Sequence, residues 1–375
     1  MAFPSGWGRK CKLTIQNVKV PGSLTDFPAL LTLATLPSEM FDADGSYPAL
    51  NGGGDIRFSS DAAGAIQLAC EVVTFVTNND PALGSAEIWV KVPSVASTTD
   101  TDFYVWYNKA GETQPAETDT YGKHNAWDSN FKLVQHMSQD PSGTAPQMID
   151  STVNSNDGTS GGTMTSSDLV AAKVGNGLDF DGTNDLINCG NGASIDSLET
   201  MTVSAWFKTD IIPGAGIYPH IICQRNTSQR IWHLYLDGGD LGRAVYVLGY
   251  STTSADARTA WTPTINIWYH FCAIFSSVDK IPHIFINGSE GAYDTQITGV
   301  GTVVLNNTID VLIGNRVGSD RTWDGLLDEV RISNVVRSAD WITAEYNNQN
   351  DPGTFIVEGT PESTGTGSGN FFLMF

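Results

Sequence analysis

Apolar residues recur at every second position in short bursts, separated by clusters of Gly, Pro, Ser, Asn and Asp. That rhythm predicts half-buried strands joined by turns. In residues 201–209, Met201, Val203, Ala205 and Phe207 fall on one face, and Thr202, Ser204 and Trp206 on the other. Residues 101–107 set Phe103, Val105 and Tyr107 against Tyr104 and Trp106. Further strands are expected over 11–20, 27–33, 55–58, 67–76, 86–92, 131–137, 232–236, 243–250, 268–275, 283–286 and 309–313. Asp237-Gly238-Gly239-Asp240 and Asn287-Gly288 read as hairpin turns. Only near the end does the period change. Ser338 stands at a helix N-cap, Trp341, Ile342 and Tyr346 follow at helical spacing, and Pro352 stops the pattern.

The strand before that helix, 327–332, places Leu327, Glu329 and Arg331 on one face and Asp328, Val330 and Ile332 on the other. Asp328 thus shares a face with residues that read as buried. A carboxylate there needs a partner, either loop backbone amides or a calcium ion.

At 375 residues the chain has room for two or three domains, and a 41% hydrophobic content supplies real cores. The strand spacing predicts an all-β protein of two β-sandwich domains, 1–126 and 127–358. Residues 140–167, long and Gly-rich, read as a functional or mobile loop. Residues 359–375 form a polar Gly/Ser/Thr linker ending in Phe371, Phe372, Leu373, Met374 and Phe375. Five apolar residues at a chain end either fold back on their own domain or dock on a partner or neighbouring copy.

Charge narrows the function. Twenty basic against forty-one acidic residues leave a net charge of −21, which argues against nucleic-acid binding. The five cysteines, Cys11, Cys70, Cys189, Cys223 and Cys272, are odd in number and lack C-x-x-C spacing, so they read as small buried hydrophobes. No apolar run reaches the ~18 residues of a membrane span. The first residues have no secretory apolar core. Either a signal has been trimmed, or export is by assembly or lysis, as for a phage virion protein.

Several pieces carry a resemblance. Residues 325–348 (GLLDEVRISNVVRSADWITAEYNN) resemble the closing segment of LamG-like domains of the concanavalin A-type lectin/glucanase superfamily. KVGNGLDFDGTNDLINCGN (173–191), MTVSAWFKT (201–209) and the tryptophan strand leading to Asn287-Gly288 resemble the same family, in its order. The first block is similar to the domain of unknown function that precedes LamG-like domains in bacterial and phage surface proteins, through LTDFPALLTL, GDIRFSSDAAG and AEIWVKVPSVASTTDTDFYVWYNKA.

The resemblance implies a jelly-roll sandwich, calcium held by Asp181 and Asp328 near the first and last strands, and glycan binding. Exposed aromatics would provide stacking, with Trp206 and Trp323 as the candidates beside Trp232, Trp261 and Tyr250. The superfamily's glucanases carry Glu-x-Asp-x-x-Glu on one strand, where one spacing supplies both carboxyls of a retaining hydrolase. That motif is absent, and the adjacent pair Asp328-Glu329 cannot replace it, because neighbouring strand residues face opposite sides. The expectation is a non-catalytic virion decoration or fibre component with an adhesion module. A secreted bacterial carbohydrate-binding protein and a glycoside hydrolase stand as alternatives.

Overall fold

The computed structural model describes residues 3–305 and 308–365. Phe371 to Phe375, expected to dock a partner, therefore lie outside the described residues. The chain divides into two compact units. One holds residues up to 19, 23–126 and those from 351 on; the other holds 20–22 and 127–350.

In the first unit, the described residues form a six-stranded and a three-stranded antiparallel sheet. Arg9–Ile15 pairs with Thr101–Tyr107 on one side and with Ile356–Glu358 and Glu362–Ser363 on the other. The smaller sheet holds Leu24–Thr32, Ser85–Val95 and Cys70–Val76. Leu13, Phe103 and Val105 of one sheet, and Leu30, Ile88 and Val90 of the other, are fully buried. The end of the second block at 358, expected from sequence, is displaced. Ile356 pairs with Ile15, Glu358 with Leu13, and the Gln16 amide donates to the Phe355 carbonyl, so this segment completes the first unit.

The second unit is a jelly-roll sandwich of two antiparallel sheets. One runs Leu169–Ala171, Asn176–Asp181, Asp324–Ser333, Met201–Thr209, Tyr269–Phe275, His283–Ile286, Ser289–Glu290, with Phe131–Gln135 also paired to Asp324–Ser333. The other runs Tyr293–Ile297, Ala255–Thr259, Arg243–Leu248, Arg230–Asp237, His220–Arg225, Val311–Ile313, Leu186–Asn188, Thr159–Gly161. Met201, Val203, Ala205 and Phe207 meet Trp232, Leu234, Leu236 and Tyr246 in the shared core. Each large apolar side chain buried there contributes about 1.5–3 kcal/mol. Asn287 and Gly288 both have positive φ, as the two-residue hairpin requires. All five cysteines are buried and free. The 140–167 segment is pinned rather than loose. The buried Asp150 carboxylate accepts from the amides of Val134, Thr152 and Asn156 and from the Thr152 hydroxyl.

The strand Asp324–Ser333 departs from simple alternation. Ser204 pairs with Arg331 but Trp206 with Asp328, so two residues on one strand oppose one on the other. Glu329 takes φ 50° at this bulge. Leu327, Val330 and Ile332 therefore all enter the core. Asp328, expected on the face of Val330 and Ile332, stands on the opposite face beside Trp206.

That outer face is covered. The helix Ala339–Asn350 starts as the sequence predicts, with the Trp341 amide donating to the Ser338 hydroxyl at 3.1 Å. Ile342 packs on Cys272 and Phe285. Glu345 accepts from Ser204 and Arg331, and Gln349 accepts from the Trp206 indole.

Candidate functional site

The two tryptophans expected to stack on a ligand are structural. Trp206 is 1% exposed, stacked on Tyr346 of the covering helix at 5.8 Å. Trp323, also 1% exposed, packs edge-on against Phe207 at 5.5 Å. Trp232 and Tyr250 belong to the same core. An indole supplies large apolar area, and a sandwich of this thickness absorbs it.

The expected calcium pair is not brought together. Asp181 lies directly opposite Asp324 in the ladder, and Asp328 is four residues further along that strand, roughly 13 Å at 3.3 Å per residue. No single ion can bind both. Each carboxylate instead accepts backbone amides: Asp181 from Thr183 at 2.7 Å, Asp328 from Val174 at 2.8 Å. Beside Asp181, the carboxyl of Asp324 is pushed up by burial and then by the charges of Asp210 and Asp181.

The second sheet offers what the first does not. Alternation in Arg230–Asp237 sends Trp232, Leu234 and Leu236 inward. His233, Tyr235 and Asp237 then project from the outer face. Register aligns two rows across the strands: Arg258, Val245, Tyr235 and His220 in one, Asp256, Val247, His233 and Cys223 in the next. Of these, His233, Tyr235, Asp256 and Arg258, together with Asp237, Tyr218, Arg225, Arg230 and Arg321, line a cavity of about 360 Å³.

Its floor is aromatic. The rings of His233 and Tyr235, which line it, lie 5.0 Å apart with planes within 19°, and the buried His220 stacks on both at 5.3 Å without itself lining the cavity. Tyr218 meets Tyr235 edge-on at 6.1 Å. His220 Nδ1 lies 2.7 Å from the Tyr218 carbonyl, which can only accept, so this nitrogen donates. Its Nε2 is thereby left as an acceptor facing Arg225 Nη1 at 3.4 Å. Burial, then the cations Arg225, Arg316 and Arg321, outweigh the carbonyl and push His220 down to about 3. His233 is held well below its ordinary value by burial and by His220 and Arg225. Both rings are neutral at physiological pH.

The cavity has two electrostatic ends. At one, Arg258 binds Asp237 at 3.0 Å and reaches Asp240 at 3.5 Å. Asp256 is raised by burial against the pull of Arg258, and its Oδ1 is buried without a hydrogen-bond partner. At the other end stand Arg225, Arg230 and Arg321. Burial and then Arg316 and Arg230 lower Arg225 to about 10. Among the described residues, neither Arg225 nor Arg230 has a carboxylate within ion-pair distance. Sequence reading did not single out His233, Tyr235 or these arginines. The available signal was polar and aromatic residues alternating with the apolar ones of 230–237.

A search of curated proteins returned no match. Among solved structures, the binding domain of Paraclostridial Mosquitocidal Protein 1 aligns at TM-score 0.43 and 16% identity, over 58% of this chain and 52% of that one. Domain 4 of AbnA, a GH43 extracellular arabinanase from Geobacillus stearothermophilus, in complex with arabinotriose, aligns at 0.41 and 20%, over 57% and 98%. The chain thus spans about half the length of the first of these. The model of the family described as Concanavalin A-like lectin/glucanases superfamily matches residues 181–343. That match lies within the two-sheet sandwich of the second unit, and this region is similar to the concanavalin A-like lectin/glucanases superfamily.

Proposed function

We propose that the protein is a non-catalytic, surface-displayed adhesion protein whose second unit binds a glycan on the outer face of the Arg230–Asp237 sheet. The observation that carries this reading is the aromatic floor of the cavity, flanked by guanidinium and carboxylate groups. A sugar ring needs an apolar platform for its C–H face and fixed polar groups for its hydroxyls. The other sheet's outer face is occupied by the helix Ala339–Asn350. Tyr235→Ala tests the reading by affinity electrophoresis on a polysaccharide panel. A tenfold or greater loss of retention at unchanged melting temperature supports it; undiminished retention sinks it.

Hydrolysis is the second reading, favoured by one observation. Asp237 and Asp256 line the same cavity, and burial raises Asp256, as suits a general acid beside an ionised carboxylate. Against it, Asp237 is engaged by Arg258 and by the Gly239 amide at 2.8 Å. Release of reducing ends by the native protein but not by Asp256→Asn would establish it.

Display on a virion is the setting we propose for the adhesion role, with residues 371–375 as the segment to test. Co-sedimentation with particles by the full chain, lost on truncation after Gly369, supports that placement; equal behaviour removes it. Calcium belongs to this reading only at the Asp181 end, beside Asp324. A calcium-induced rise in melting temperature, abolished by Asp324→Asn, supports it, and no shift dismisses it.

A further inference from the structure

The cavity is polar in a directed way, and that direction specifies its ligand further. Resting on the glycan-binding reading above, we infer that the site takes an acidic sugar, with its carboxylate or sulfate seated between Arg225, Arg230 and Arg321 and its hydroxyls turned toward Asp237 and Asp256.

Four of the chain's twenty basic residues line this cavity, on a protein whose net charge is −21. Scattered surface charge does not produce that concentration. The arginines also differ in how they are satisfied. Arg258 is matched by Asp237 and Asp240. Arg316, just behind the cavity, makes a two-pronged pair with Asp320 at 2.6 Å in each arm. Arg321 reaches Asp320 only at 3.8 Å, and its guanidinium lies over the Tyr218 ring at 5.3 Å. Among the described residues, Arg225 and Arg230 form no ion pair, and Arg230 acts on Asp256 only at longer range. The neighbouring cations Arg316, Arg230 and Arg321 repel the charge on Arg225, and an anion placed among Arg225, Arg230 and Arg321 relieves that repulsion. A guanidinium is also the group that grips carboxylate and sulfate oxygens two at a time.

His233 points the same way. It is 2% exposed, lines the cavity, and its Nδ1 is buried with no hydrogen-bond partner. A neutral imidazole can donate to an anion or accept from a hydroxyl. The opposite end is unsuited to an anion, because Asp256 and Asp237 would repel it. Asp256 Oδ1, buried and without a partner, suits a sugar hydroxyl.

The test compares one backbone in charged and neutral form on the full chain. Polygalacturonate is set against its methyl ester, and dextran sulfate against dextran, by affinity electrophoresis and calorimetry at fixed ionic strength. The two pairs separate a carboxylate ligand from a sulfate ligand. At least one acidic polymer is expected to bind tenfold or more tightly than its neutral counterpart. Arg225→Gln/Arg230→Gln should erase that preference by weakening the acidic polymer at least tenfold more than its neutral counterpart. Arg230→Gln alone, at an exposed position, should give a partial loss and guards against misfolding of the double variant. Equal binding of charged and neutral forms overturns the inference and leaves glycan binding standing. Equal loss of both in the variants also overturns it, since the arginines would then only shape the cavity. Failure to bind any polymer removes both readings.

Discussion

At the residue scale, a side chain's role follows from what faces it. Asp328 and Asp181 were paired by their resemblance to a calcium site, yet each serves amides of a nearby turn. Asp328→Ala should strand the buried Val174 amide and cost about 1–3 kcal/mol. Asp181 is exposed, and Asp181→Ala should cost about 0.5 kcal/mol, as surface changes do. Denaturant titration of the two variants checks the contrast. Trp206 shows the same dependence on surroundings. Its indole donates to Gln349 inside the unit. Trp206→Ala should therefore cost about 3–5 kcal/mol, as large-to-small core changes do, while leaving glycan retention in the surviving folded protein unchanged.

At the element scale, the bulge at Glu329 is the decisive irregularity. It lets one strand supply Leu327, Val330 and Ile332 to the core while turning Arg331 and Asp328 outward. Glu329 contacts His136 at 2.7 Å and Arg331 at 2.5 Å. Burial would raise its carboxyl, but His136 and Arg331 overcome this and hold it at about 2. A depressed carboxylate contributes stability above its unfolded value near 4.5 and loses it as pH falls toward 2. Glu329→Gln keeps the shape and removes the charge, and should cost about 3 kcal/mol at pH 7 by leaving the buried Arg331, among the described residues, with Glu345 alone as its carboxylate partner. That deficit should shrink below pH 4 in urea titrations. The neighbouring helix is a milder case. Ser338→Ala removes its N-cap bond and should cost about 1 kcal/mol. The strands at 201–209 and 327–332, the Asn287-Gly288 turn and this cap were legible in the sequence because each is written in adjacent residues, whereas the strands His220–Arg225 and Ala255–Thr259 were not picked out. The bulge was not, since positive φ at a glutamate has no local signature.

At the scale of the whole second unit, burial of neutral histidines governs its response to acid. His220 is pushed down to about 3 and His270 to about 4, chiefly by burial, and His233 also lies well below its ordinary value. The unfolded chain binds protons at these rings near pH 6.5, and the folded chain does not. Stability is therefore full above about 6.5 and falls as pH drops below it, by up to about 1.4 kcal/mol per pH unit for each histidine. Carboxyls raised by burial, such as Asp150 and Asp256, act in the opposite sense. The melting temperature of the native protein should thus decline from pH 7 toward pH 4.5, and a flat profile over that range would contradict the buried neutral state. His270→Gln should flatten it by about a third.

The sequence by itself determined that the chain is all-β, that 201–209 and 327–332 are strands, and that the second block resembles a lectin-like sandwich. Those properties rest on a two-residue period and on short ordered motifs, which are local. It also contained the outer-face alternation of His233, Tyr235 and Asp237, but nothing local marks which face of a strand stays open. Only the tertiary structure decided that the helix Ala339–Asn350 covers one sheet and buries Trp206. Only register across four strands set Arg225, His233, Arg258 and Asp256 around one cavity, and only long-range pairing returned residues 356–358 to the first unit. The physical reason is the same throughout. Backbone periodicity says which residues point together along one strand, whereas a binding site depends on which strands become neighbours, and antiparallel pairing makes neighbours of residues far apart in the chain.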